Sequence, residues 1–218
     1  MADRVTFSGL SAATVRENLE RVRERIAAAG GDPDRVEICA AIKYVPADDL
    51  PALAEGGITL VGENRAQELI AKQEAHAGLF EWDFIGALQS RKVKDIAPRV
   101  RLIQSLASES ALAQLEKHPA RGVLIQVNVA GEASKEGLDP GDLAGFIERC
   151  PAPVEGLMTM PPLADRPEDS RPYFAKLAEI AAEHDLKHLS MGTTQDFEAA
   201  AAEGATIVRL GTVLYERM

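Results

Sequence analysis

Apolar residues along this chain fall into two alternating patterns. Short, nearly continuous apolar runs recur: VEICAAIK, ITLVGE, WDFIGA, RLIQSLA, GVLIQVNVA, VEGLMTM, KHLSMG and TIVRLGTVLY. Between them lie stretches with helical spacing: PADDLPALAEGG, NRAQELIAKQEAH, KVKDIAPR, SESALAQLEKHP, DPGDLAGFIERC, about Glu168 to His184, and TQDFEAAAAEG. An amphipathic helix over about 11–29 precedes the set. It carries Leu19, Val22, Ile26 and Ala29 on one face, with Ser11 or a Thr14–Glu17 box as its cap, and GGDPD ends it. Asp139 and Pro140 have the cap and first-turn chemistry of a helix start. Eight apolar strands joined by seven helices predict parallel strands covered on both faces. The expected fold is α/β, a single (β/α)8 TIM barrel with an extra N-terminal helix, as one domain over residues 1–218. An open doubly wound sheet is the alternative, but no GxGxxG turn follows the first strand.

The 218 residues are 46% hydrophobic, enough for a full core, and the net charge is −10. That charge argues against nucleic-acid or anionic-membrane surfaces, though backbone N–H groups can still hold one phosphate. Cys39 and Cys150 lack metal or CxxC spacing and are read as reduced packing residues of a cytoplasmic protein. The N-terminus shows no signal pattern, and no apolar run reaches membrane length.

A barrel places its active site at the C-terminal strand ends. The residues there that are unusual for a core are Lys43, Glu63 with Asn64, Gly86, Gln89, Ser105, Asn128, Thr159, Ser190 to Thr194, Arg209, and Gly211 with Thr212. A lysine closing a buried strand is costly unless paired, and can serve as a carbonyl nucleophile; otherwise it is a snorkelling side chain. Gly192, Thr193 and Thr194 form a small-residue turn with hydroxyls and free backbone N–H groups, and Gly211 and Thr212 add a second turn. Phosphate commonly sits at the loops after strands seven and eight of a barrel. Lysine plus a phosphate cradle suits a Schiff-base aldolase of phosphosugars, with Glu63 and Asp196 as available acids. It equally suits a protein holding pyridoxal 5′-phosphate (PLP), with Arg209 toward the ring nitrogen.

Motifs in order along the chain resemble the pyridoxal phosphate homeostasis proteins (YggS type), which are similar to the N-terminal barrel domain of alanine racemases. AAIKYVP resembles the lysine motif, GENRAQEL resembles GENxxQE, and WDFIGALQSRK resembles WHFIGxLQxNK. VNVAGEASKEG, GLMTMPP, LSMGTTQDFEAA and ATIVRLGTVLY resemble the later motifs. The resemblance implies an aldimine between PLP and Lys43, with Asn64 beside the cofactor and Ser190 and Gly192 in the site. It implies phosphate contacts from Thr194, Gly211 and Thr212, and a ring-nitrogen contact from Arg209. Departures are Asp83 for His, Arg91 for Asn, Gln104 and Ala107 within an HSxD pattern, Thr193 for Met, and Tyr215 with Glu216 for Phe-Gly. None falls on Lys43, Asn64 or Arg209, so the expectation is that they change the pocket rim and any partner surface.

An arginine at the ring nitrogen weakens the cofactor as an electron sink, and racemisation needs a base on each face of the substrate. In alanine racemases the second base resembles a contribution from a further β domain, which is not expected in a chain ending at Met218. The expected function is a non-catalytic PLP-binding protein of intracellular vitamin B6 homeostasis, with a low-activity PLP-dependent racemase as the alternative and no metal. PLP-dependent apo-enzymes are the candidate recipients, and a monomer is the expected state. Lys135 in ASKEG is a loop residue by default.

Overall fold

In the computed structural model, residues 6–131 and 136–216 are described. Eight strands pair side by side, all parallel, and close: β1 (Glu37–Ala41), β2 (Leu60–Glu63), β3 (Glu81–Phe84), β4 (Leu102–Leu106), β5 (Val123–Gln126), β6 (Val154–Met158), β7 (His188–Thr193) and β8 (Ile207–Leu210). β8 returns to β1 with Cys39 opposite Arg209. The TIM barrel expected from the apolar runs is therefore the fold. The connecting helices are α2 (Leu50–Glu55), α3 (Ala66–Ala75), α4 (Val93–Ile96), α5 (Glu109–Leu115), α6 (Leu143–Arg149), α7 (Arg171–Glu183) and α8 (Phe197–Ala202), with α1 (Ala12–Ala28) before the barrel and α9 (Thr212–Tyr215) after it.

The core has two parts, as a closed sheet requires. Side chains on the outer faces of the strands pack against the helices in one large cluster. A small cluster of Cys39, Leu60, Leu102, Leu124, Met158 and Ile207 fills the inside. Alternation along the strands puts polar residues on that same inner face, and Asp83, Gln104, Ser190 and Arg209 are all buried there. Two of them, Asp83 and Gln104, were expected at the rim. The structure corrects this: they lie on β3 and β4 inside the barrel.

Other expectations shift by a residue or two. β1 ends at Ala41, and Lys43 sits in the turn beyond it. The last strand stops at Leu210, so Gly211 and Thr212 begin α9 instead of continuing β8. Ser11, not a Thr14–Glu17 box, caps α1, its side chain accepting from Thr14 N at 3.4 Å. Asp139 does cap, accepting from Gly141 N at the start of a 3₁₀ turn that leads into α6. Lys135 lies outside the described residues.

Candidate functional site

Lys43 rides on a tight turn that closes the end of β1. Ile42 is buried and its carbonyl accepts from Val45 N at 3.0 Å. Lys43 itself is exposed, with its ammonium 5.1 Å from the Tyr44 ring centroid. The expected cost of a buried strand-end lysine does not arise at this position. It arises at Lys72 on α3, which is 4% exposed. Its ammonium donates to Glu63 Oε2 at 2.7 Å and to Ile42 O at 2.8 Å. Glu63 Oε1 accepts from Asn64 N and Arg65 N, so the whole carboxylate is used. Glu63 is therefore a brace beneath the Lys43 turn and not an available acid. The signal for Lys72 was present in the sequence: with Ala66 and Leu69 it lies on the buried face of α3.

Asn64 follows β2 directly. Its backbone is packed against Gly86, where a Cβ would come within 2.2 Å of Asn64 O. Its side-chain Oδ1 is buried without a hydrogen-bond partner among the described residues. Buried amide oxygens are rarely left so, and Asn64 lines a cleft.

Gly192 gives β7 its shape. Between Ser190 opposite Ile207 and Thr193 opposite Arg209, β7 has one residue more than β8. That bulge puts Gly192 at φ +89°, and a Cβ there would lie 2.6 Å from Ala200 Cβ on α8. The strand is thereby turned so that Thr193 and Thr194 face β8. Thr194 Oγ1 accepts from Gly211 N at 3.1 Å, which joins the two turns expected to hold phosphate. Thr193 N and its hydroxyl both donate to Asp196 Oδ1, so Asp196 is also engaged. Thr212 is exposed beside Gly211.

Arg209 lies below these turns, 6% exposed. It donates through one terminal nitrogen to Ser190 Oγ at 2.5 Å, and through the other to Thr159 O at 2.9 Å and Met160 Sδ at 2.9 Å. Among the described residues no carboxylate forms a salt bridge with it. Burial pushes its pKa down to about 10. Ser190 passes its own hydrogen to Gln104 Oε1 at 2.6 Å. Its hydroxyl is thus committed to Arg209 and Gln104, a contact no single motif announced.

The structure thus places Ser190, Gly192, Thr194, Arg209 and Gly211 in one connected set at the β7–β8 end. Lys43 and Asn64 stand on the adjoining β1 and β2 ends. A cavity of about 710 Å³ opens on the other side of Arg209's partners, lined by Gln126, Met160, Thr193 and Asp196. Lys43 and Asn64 line separate clefts of about 240 and 270 Å³. By donor chemistry these residues suit PLP: an exposed lysine at Lys43, an unanswered amide oxygen at Asn64, hydroxyls at the β7 and β8 turns, and a guanidinium bonded to no carboxylate.

Residues 10–217 match the alanine racemase N-terminal domain family. The pyridoxal phosphate homeostasis protein of Aquifex aeolicus is 43% identical over 219 residues, 91% of this chain and 96% of that relative. That of Pseudomonas aeruginosa is 37% identical, covering 93% and 95%. The chain belongs to this family. Among solved structures, PipY of Synechococcus elongatus with PLP bound superposes with a TM-score of 0.80 at 29% identity, over 93% of this chain and 100% of that one. Alanine racemase of Corynebacterium glutamicum shares the fold, with a TM-score of 0.72 at 14% identity, over 95% of this chain and 62% of that one. In the family frame Tyr215, one of the departures, is not a rim residue either: it is buried, and its hydroxyl donates to Ala41 O at 3.2 Å. Arg91 and Ala107 line two separate clefts.

Proposed function

We propose that this protein binds PLP reversibly and serves intracellular PLP supply, holding the cofactor and not turning over a substrate with it. The observation that carries the reading is Arg209, a buried guanidinium bonded to no carboxylate and held by Ser190 and Thr159 beside the β7 and β8 turns. The names of the relatives and the PLP-bound PipY structure support it. Bound PLP supplies an aldehyde, which condenses with a primary amine and releases one water.

In this reading Lys43 provides that amine, and its exposed position gives the stem freedom to swing over the mouth. Asn64 offers its orphaned Oδ1 to a donor on the ligand. Gly192 opens the β7 turn, and Thr194, Gly211 and Thr212 turn donors to the phosphate. Arg209 would donate to the ring nitrogen and leave it without a proton of its own, which suits storage better than carbanion chemistry. Glu63 and Asp196, the acids singled out in the sequence, are bound to Lys72 and Thr193, so neither is free as a base. PLP-dependent apo-enzymes would be the recipients. Two free cysteines fit a reducing cytoplasm, and no helix among the described residues is long and apolar enough to cross a membrane. A monomer is the proposed state, checked by light scattering.

The test is direct. Purified protein titrated with PLP should gain a visible absorption band, and borohydride should fix the cofactor to Lys43, located by peptide mass. Lys43→Ala should lose both. A protein that stays colourless with excess PLP overturns the proposal. Steady turnover of an amino acid that disappears in Lys43→Ala replaces it with a racemase.

A further inference from the structure

A chain of hydrogen bonds crosses the barrel interior and ends on Arg209. At the far end Arg101 donates to Glu37 Oε1 at 2.6 Å. It also grips both oxygens of Asp83, at 3.0 and 2.8 Å, while Leu102 N donates to Oδ1 at 3.1 Å. Gln104 Nε2 donates to Asp83 Oδ2 at 2.7 Å. Ser190 donates to Gln104 Oε1, and Arg209 donates to Ser190 Oγ. The Gln104 amide has only one workable orientation here, because reversing it would set its oxygen against the Asp83 carboxylate.

Three features make this more than packing. From Arg209 to Asp83 every donor points the same way, so each bond polarises the next toward the carboxylate. Charge along the chain balances, Glu37 and Asp83 against Arg101 and Arg209, although Arg209 touches no acid. Arg101, which also pairs with Glu37, already gives Asp83 its counter-charge. Gln104 and Ser190 are therefore not needed to neutralise it, and apolar side chains would be cheaper at two fully buried positions. What they add is a directed link to one guanidinium. Asp83 and Gln104, both departures from the family pattern, touch each other, so they act as one unit.

Resting on the reading that PLP sits over Arg209, we propose that Asp83 and Gln104 are positioning residues, which fix the orientation and donor strength of the Arg209 guanidinium through Ser190 and so tune its contact with the cofactor ring nitrogen. Neither residue touches the cofactor.

Parent protein, Asp83→Asn and Gln104→Met are compared by PLP titration, by the visible spectrum of the loaded protein, and by thermal melting of the unloaded one. Gln104→Met cuts the link while leaving Asp83 on Arg101 and Leu102 N, so it decides the matter alone if Asp83→Asn does not fold. Both variants should bind PLP about tenfold more weakly, the effect of loosening one charged hydrogen bond. Both should also displace the visible band in the same direction. Folded variants with the parental Kd and a superimposable spectrum would show the chain to be only structural, even if they melt earlier. A parent that binds no PLP overturns the proposed function instead, and this inference falls with it.

Discussion

At Lys72 an ammonium and a carboxylate are both withdrawn from water, and the geometry decides whether that is affordable. Glu63 is 0% exposed and receives two backbone N–H groups besides the lysine. Each charge alone would cost several kcal/mol to bury, so the pair survives only because both partners are fully bonded. Asp83 faces the same problem on the inner face: burial pushes its pKa up, and the bonds from Arg101, Gln104 and Leu102 N pull it back. Lys72→Met removes one partner and strands Glu63. It should destabilise the protein by about 3–5 kcal/mol in urea unfolding, whereas Lys72→Met with Glu63→Gln should recover most of that. A loss below about 1 kcal/mol for the single change would mean water reaches Glu63 after all. The sequence drew attention to the wrong lysine for the cost of burial. Lys43 closes an apolar run, where a lysine is either a costly buried amine or a snorkelling side chain; β1 ends two residues earlier, at Ala41, and Lys43 is exposed. Lys72 showed only through its place on the buried face of α3.

Secondary elements were legible wherever one physical rule governed a whole segment. Strands of a parallel barrel are covered on both faces, so they are written as unbroken apolar runs, and all eight could be counted. α1 and α7 carry stripes long enough to see. Contacts made by barrel closure were not legible. Asp83 meets Gln104 across 21 positions and Lys72 meets Ile42 across 30, and neither spacing has a local signature. The bulge in β7 is intermediate: its glycine was visible, but the extra residue depends on the register with β8. Gly192→Ala tests whether that bulge shapes the site. A Cβ would need both a left-handed backbone and space 2.6 Å from Ala200 Cβ. The change should cost about 1–3 kcal/mol and weaken PLP binding, measured by melting and titration. Parental affinity in a folded Gly192→Ala would remove the β7 turn from the phosphate cradle.

At the scale of the molecule, the ring of outer helices is completed by the helix that comes first. α9 is only four residues long and cannot cover the seam between β8 and β1. α1 does so, buried through Val15, Leu19, Val22 and Ile26 and packed between α8 and α2. Arg25 holds Glu198 of α8, and Val15 meets Gly56 just after α2, where a Cβ would come within 2.6 Å. Asn18 donates to Leu214 O and Glu216 O, so both ends of the chain are tied at one place. Tyr215 is the centre of that tie, with its ring 5.2 Å from that of Phe7 and its hydroxyl on Ala41 O, two residues before Lys43. Burial holds the Tyr215 pKa far above the usual phenol value. The folded protein therefore keeps this proton more tightly than the unfolded chain does. The stability it contributes is fully present below the unfolded pKa of about 10, and is lost as pH rises beyond that toward the folded value. Tyr215→Phe should cost about 1 kcal/mol near neutrality, from one lost hydrogen bond. It should also flatten the alkaline fall in stability relative to the parent, because Arg209 and Cys39 titrate alike in both. Urea unfolding from pH 7 to 11 reads both effects. Parallel alkaline limbs for the two proteins would mean that Tyr215 is open to water, and that the closing seam is looser than its packing.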